Sequence, residues 1–371
     1  MRLFLHIGHM KTGTTAFQRL LAGNRGALEA GGFFYPAGGP RIAWQHGELL
    51  ADAVRCGDTQ PLQRLLAPRD GADTLILSGE TLANVPTGAG RALCRWLAAR
   101  CDLHVLYAVR EWQHYLPSRY RQNLRLGDGW TFPEFIRASR THFCTNPDHN
   151  YRLNIDEYRA NDWQLHVLEY GPELIERLAT LIGIPAGLLP DDLPRQNVAD
   201  SFETAERERL INVAVNRVLE RPQHLKFQSL LERWLLLPEP PLQWLRAQLR
   251  QGLDVQRLDT VIAATRREWG RPLRVGRETW PAFRRWLAEH PDIQFSPAPV
   301  GGESREKFAY SCAAPFDDAE LRDHVHETLY GLVKQPARES APDSASVRSR
   351  LTEYLAAHTA CGKCLGKQTI C

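Results

Sequence analysis

Lys11 stands in the segment Gly8-His-Met-Lys-Thr-Gly-Thr-Thr15, where two glycines bracket one lysine and Thr12, Thr14 and Thr15 add three hydroxyls. Such a set suits an anion. The backbone N–H groups of a tight loop turn inward, a helix starting near Thr14 adds its positive dipole end, and Lys11 adds a full charge. Arg110 closes the apolar run Leu103-His-Val-Leu-Tyr-Ala-Val and is followed by Ser118, an Arg-x7-Ser spacing. By itself an arginine ending a strand is more often an ion-pair residue of the surface. Two proton acceptors also draw notice: Glu80, after the apolar run Thr74-Leu-Ile-Leu-Ser78, and His46, within Trp44-Gln-His-Gly-Glu48. Both types serve as general bases, and both also occur at helix starts.

The loop differs from a Walker A sequence, which places lysine after its second glycine, whereas here Thr14 follows Gly13. The order Lys11-Thr12-Gly13-Thr14-Thr15 resembles the 5'-phosphosulfate loop of sulfotransferases that use 3'-phosphoadenosine 5'-phosphosulfate (PAPS). Arg110, Ser118 and the trailing Tyr120 resemble the same family's strand–arginine–helix–serine arrangement, which holds the donor's 3'-phosphate. Trp112 departs from it where many members carry proline. Pro117 beside Ser118 is accommodated if the helix starts near Gln113, leaving the proline in its first turn. Ala16 stands where cytosolic members carry an adenine-stacking tryptophan, which leaves that role to Phe17 or a more distant aromatic.

The resemblance covers residues 1–120 closely and extends loosely to about 220. It implies an α/β fold, a three-layer P-loop NTPase-like parallel sheet flanked by helices. It further implies transfer of a sulfuryl group from PAPS to a hydroxyl or amine of an acceptor, by family analogy a bacterial glycan or glycolipid. 3'-phosphoadenosine 5'-phosphate (PAP) is then the product, and no metal is required. Lys11, Thr12, Gly13, Thr14 and Thr15 would hold the phosphosulfate, Lys11 would stabilise the leaving oxygen, and Arg110 with Ser118 would hold the 3'-phosphate. The family uses either histidine or glutamate as base, and the strand-end position favours Glu80 over His46, with Glu48 weaker. A P-loop kinase-like photphotransferase would need magnesium ligands and a lysine after Gly13. An inactive glycan-binding relative would keep stacking aromatics while losing donor affinity.

The elements that must position these residues read as an alternating series. The helix from Thr14 presents Phe17, Leu20, Leu21 and Leu28 to the sheet and ends at Gly31-Gly32. A strand over 73–78, a helix over 88–100 and the arginine strand follow. After them come helices at 132–136 and 151–161, a strand over 163–170 and a helix over 172–182. Alternation of this kind predicts a parallel sheet covered on both faces. Residues 1–220 form the expected PAPS-binding core. Residues 221–334 are a mostly helical C-terminal addition that could recognise the acceptor, and 335–371 a linker and cysteine-bearing tail. Residues 201–290 read as helical and contain Trp234, Trp244, Trp269, Trp280 and Trp286, at least three of them structural.

Arg195-Gln-Asn197 with Ser201, and Arg274-Val-Gly-Arg-Glu-Thr-Trp280, resemble family segments too loosely to carry roles. Cys56, Cys94, Cys101 and Cys144 have neither disulfide-framework nor zinc-like spacing and read as buried or idle thiols. In the tail, Cys361, Cys364 and Cys371 with His358 read as reduced thiols or an intermolecular disulfide rather than a metal site. With 371 residues, 24% of them charged, and a formal net charge of +3, the chain is neither a disordered polymer nor a strongly basic nucleic-acid binder. Nothing in it reads as a secretory signal or a bilayer-spanning run, so a cytoplasmic enzyme is expected, compatible with peripheral contact at a membrane.

Overall fold

The structure is a computed structural model that describes residues 1–38, 43–67, 71–85, 88–141, 150–190, 201–218, 247–270, 273, 279–298, 308–311, 321, 323–325 and 327–328. The chain divides into two compact units, each assembled from three stretches. One comprises Met1–Ser118, Ile136–Val198 and Arg271–Glu306; the other comprises Arg119–Phe135, Ala199–Gly270 and Lys307–Cys371.

In chain order the strands are β1 (Arg2–His6), β2 (Phe33–Phe34), β3 (Thr74–Ser78), β4 (Asp102–Val109), β5 (Gln164–Glu169), β6 (Arg266–Trp269), β7 (Ile293–Ser296) and β8 (Phe308–Ser311). Six of them form one sheet in the first unit, ordered β2-β3-β1-β4-β5-β7. Every pairing in it is parallel. The register sets Leu5 opposite both Leu77 and Val105, so β1 is bracketed at its full length by β3 and β4. The chain fills one side of β1 with β2 and β3, then crosses to β4 on the other. That crossing makes the carboxyl end of β1 the switch point of the sheet, where open α/β sheets leave a crevice for ligands.

The apolar runs explain why the sheet is covered on both faces. Phe4, Ile76, Leu106 and Leu168 pack with Phe17 and Leu21 of α1 (Thr14–Gly23), Leu28 of α2 (Arg25–Ala30), and Leu174, Leu178 and Ile182 of the helix Leu174–Ile182. The alternate residues Leu3, Leu5, Leu75, Leu77 and Val105 are equally buried and must meet a second layer, because a strand turns successive side chains to opposite faces. The helix expected from Thr14 to Gly31 is broken at Asn24, whose side-chain amide donates to Leu20 O at 2.8 Å.

The remaining helices are α3 (Gly47–Cys56), α4 (Gln60–Leu66), α5 (Ala89–Ala98), α6 (Trp112–Arg125), α7 (Phe132–Thr141), α8 (Tyr151–Tyr158), α9 (Leu174–Ile182), α10 (Phe202–Val218), α11 (Val255–Ala264) and α12 (Trp280–Ala288). Because α6 begins at Trp112, Pro117 lies in its interior rather than its first turn, and the carbonyl of Gln113 loses its helical donor. The carboxylate of Glu169, at the end of β5, ties α12 to the sheet. It accepts from Trp280 Nε1 at 2.9 Å and Ala298 N at 3.0 Å, and faces Arg284 Nε at 3.3 Å. Trp280 is therefore a structural tryptophan.

The second unit holds α10, α11 and the antiparallel pair β6–β8. Within it a buried ion pair, Arg209 Nε to Glu206 Oε2 at 2.6 Å, is joined by the Tyr120 hydroxyl. β6 corrects the expectation that 201–290 is helical apart from loops: Arg266-Arg-Glu-Trp269 is too short and polar to announce a strand, and only its pairing with β8 makes it one. No helix among the described residues is long and apolar enough to cross a membrane. Cys94 is buried, Cys101 half-buried and Cys56 exposed, all as free thiols. Cys144, Trp234, Trp244, the segments 195–197 and 274–278, and the tail cysteines with His358 lie outside the described residues.

Candidate functional site

The segment between β1 and α1 is a tight loop. Gly8 takes φ 31° and Gly13, at the N-cap of α1, takes φ 79°. Lys11 between them has φ 66°, the one positive value at a non-glycine among the described residues. A bulky side chain adopts that conformation only where its surroundings hold it there. Part of the hold is internal: Thr12 N donates to His9 O at 3.3 Å, and the Thr12 hydroxyl donates to the same carbonyl. The His9 ring is fully buried among Tyr107, Tyr115 and Tyr151, with centroids 6.2, 4.8 and 4.9 Å away.

The rest of the hold comes from Arg110, which follows β4. Its Nη1 donates to Lys11 O at 2.9 Å, and its guanidinium lies 4.5 Å from the centre of the Tyr170 ring. The backbone of Arg110 is in turn held by Tyr151, whose hydroxyl donates to the Arg110 carbonyl at 2.8 Å. Among the described residues no carboxylate pairs with Arg110, its Nε is buried without a partner, and burial lowers its pKa. A desolvated cation left in this condition favours a bound anion. Tyr170 follows β5 and is 36% exposed, and a Cβ placed on Gly13 would come within 3.3 Å of its ring. Phe17, by contrast, has no exposed surface and belongs to the core.

Glu80 opens a short 3-10 turn, Glu80–Asn84, after β3. Gly79 N donates to His6 O at 2.9 Å, which fastens this turn to the end of β1. The Thr14 hydroxyl, in the first turn of α1, donates to the Glu80 carboxylate. Thus the loop after β1, the turn after β3 and the arginine after β4 converge at the switch point through direct contacts.

His46 has a different setting. It is fully buried; its Nδ1 accepts from Ser78 N at 3.0 Å, and its Nε2 donates to Pro36 O at 3.0 Å. Burial lowers its pKa to about 4. Both nitrogens are thus occupied by backbone, and the ring links Pro36 and the start of α3 to the end of β3. Ser118 is half-buried in the second turn of α6 and makes no hydrogen bond to Arg110 among the described residues. Thr15 is half-exposed in the first turn of α1. The side chain of Glu48 lies outside the described residues.

Several residues of this neighbourhood were given no role at the site from the sequence: His6, His9, Gln18, Ser78 and Tyr170. The available signal was polarity in the wrong place, since His6 interrupts an apolar strand and Gln18 an apolar helix face. Among the described residues no three or more His, Cys, Asp or Glu side chains are grouped so as to hold a metal ion. Comparison of the chain with known protein families, with curated proteins and with solved structures finds no match in any of the three.

Proposed function

We propose that the chain is a PAPS-dependent sulfotransferase acting on a hydroxyl or amine of a glycan or glycolipid. The observation that carries this reading is the half-buried Arg110 guanidinium, whose Nε is buried without a partner, which lacks a carboxylate partner among the described residues and reaches the backbone of the lysine loop. Two cations and a helix N-terminus then belong to one loop and its neighbour, which suits a donor bearing several anionic groups. The finer fold reading belongs to the same proposal: a first strand leading through a glycine-bracketed loop into a helix is the P-loop NTPase-like arrangement.

In this reading Lys11 and the backbone of Thr12, Gly13, Thr14 and Thr15 hold the 5'-phosphosulfate, while Arg110 and Ser118 hold the 3'-phosphate. The acceptor oxygen attacks sulfur in line, the bond from sulfur to the bridging phosphate oxygen breaks, and PAP leaves with its new charge facing Lys11. Glu80 takes the acceptor's proton. It is preferred to His46 because its carboxylate touches the first turn of α1, whereas both His46 nitrogens are held by backbone. Tyr170, exposed beside the loop, supports the aromatic role that the buried Phe17 cannot fill.

One observation favours a second reading. A hydroxyl at the start of the loop helix bonded to a carboxylate after β3 is also how a P-loop phosphotransferase assembles ligands for magnesium. Calorimetry with PAP in EDTA, against ATP with magnesium, separates the two. PAP should bind without metal, and Arg110→Ala should weaken it at least about tenfold, as loss of a charge-assisted contact requires. Binding confined to ATP with magnesium would select the phosphotransferase, and an Arg110→Ala variant with unchanged affinity would remove the 3'-phosphate assignment.

A further inference from the structure

The second unit holds a cavity of about 430 Å³ whose described lining belongs entirely to that unit. One wall is a single face of α10, since Thr204, Arg207, Glu208 and Ile211 follow one another at i, i+3, i+4 and i+7. The facing wall comes from Val255 and Leu258 in the first turn of α11 and from Leu253 just before it. Two ion pairs fix these walls. Arg207 Nε donates to Asp259 Oδ1 at 2.7 Å and ties α10 to α11, while Arg250 Nε donates to Glu208 Oε1 at 2.7 Å and ties the approach to α11 onto α10. The space between the walls is therefore spanned by charged contacts that set its width.

The lining divides by chemistry. Ile211, Leu253, Val255 and Leu258 are aliphatic, and Val255 is left 42% exposed at the rim. Arg125, the last residue of α6, joins Arg207 and Arg250, so three guanidiniums stand against one carboxylate of the described lining, Glu208, which Arg250 already engages. A guanidinium carries five N–H groups, and Arg207 spends only its Nε on Asp259 among the described residues. No aromatic ring belongs to the described lining, so neither a sugar face nor a nucleobase would find a stacking partner there. We propose that this cavity binds an anionic amphiphile, a single aliphatic chain ending in a carboxylate or phosphate, with the chain against the four aliphatic side chains and the oxyanion among the three arginines. Arginine's planar fork pairs with either oxyanion, and the chain covers apolar surface that water otherwise meets at Val255. The cavity shares no residue with the lysine loop and does not depend on the sulfotransferase reading.

The test is calorimetry on the full chain with decanoate, decyl phosphate, decanol and inorganic phosphate, the alkyl ligands kept below their micelle-forming concentrations. Both alkyl anions should saturate a single site, and the tighter of the two names the headgroup, that of a free fatty acid or of a phosphate-headed lipid. Decanol, which lacks the charge, and inorganic phosphate, which lacks the chain, should each bind at least about tenfold more weakly. Val255→Glu should weaken both anions by about tenfold or more, because it sets a carboxylate at the rim, and in the first turn of a helix an acidic residue is compatible with folding. Arg125→Gln, at an exposed helix end, should weaken them by a similar factor, and Val255→Leu should keep the affinity. Excess PAP should leave the titration unchanged, which separates this cavity from the lysine loop. Decanol or inorganic phosphate binding as tightly as the alkyl anions, heats that do not saturate, displacement by PAP, or an affinity untouched in folded Val255→Glu and Arg125→Gln would overturn the proposal. The wild-type comparison of the four ligands decides the matter even if a variant does not fold.

Discussion

Glu80 and His46 are both chemically able to accept a proton, and their surroundings separate them. His46 could take one only at Nδ1, which accepts from Ser78 N, so protonation would break a buried hydrogen bond and charge an imidazole whose pKa burial holds at about 4. Glu80 is half-buried, and its carboxylate reaches the loop helix through Thr14. We therefore expect Glu80→Gln to lower the single-turnover rate about 10²- to 10⁴-fold, the usual contribution of a placed base, while PAP affinity stays nearly constant. His46→Gln should act on thermal stability rather than on turnover. A Glu80→Gln variant that keeps its rate, beside a folded His46→Gln that loses it, would reverse the two roles.

Among elements, the unit β1–loop–α1 depends on backbone shape as much as on side chains. A methyl on Gly8 would sit 2.3 Å from Thr14 Cγ2, whereas one on Gly57, at φ 68°, would meet nothing within 4 Å. Gly57→Ala should cost about 1–2 kcal/mol, the penalty of the left-handed conformation alone. Gly8→Ala should cost about 1–3 kcal/mol more through overpacking and should abolish anion binding, because Thr14 and His6 must move to admit the methyl. Urea unfolding and phosphate titration of the two variants check this, and equal destabilisation would mean the loop is less tightly packed than its contacts require. The β1, β3, β4 and β5 runs were legible because strands buried on both faces are continuously apolar. β6 and β7 were not. Each is four residues long, and β7 pairs at the sheet edge with β5, more than a hundred residues earlier, so no local periodicity marks it.

At the scale of the whole molecule, the sheet-bearing unit buries His6, His46 and His166, each lowered from an ordinary value of 6.5 to about 4, chiefly by burial and for His166 also by the neighbouring His104. Between pH 6.5 and 4 the unfolded chain binds these protons and the folded chain does not, so stability falls as pH falls. Each group contributes a slope of about 1.4 kcal/mol per pH unit within that window. Unfolding free energies measured at pH 5 and pH 6 should therefore differ by several kcal/mol and reveal uptake of about three protons, one per histidine. A flat profile through the window would show that these rings are not held neutral by the fold.

The sequence alone determined the type of sheet and the tight loop between β1 and α1, because strand burial and glycine turns are local properties. Tertiary structure decided which of those residues meet. Arg110 reaches Lys11 across 99 residues, and Thr14 reaches Glu80 across 66, only because β1 lies between β3 and β4 with its register matched to both. The same geometry removed Phe17 from the site and withdrew His46 into backbone contacts. It also turned His6 toward the loop and assembled each compact unit from three stretches of chain. Spacing along a sequence records neither strand order nor the direction in which a buried polar side chain finds its partner, and those two facts are what brought Arg110 to the Lys11 carbonyl and Thr14 to Glu80.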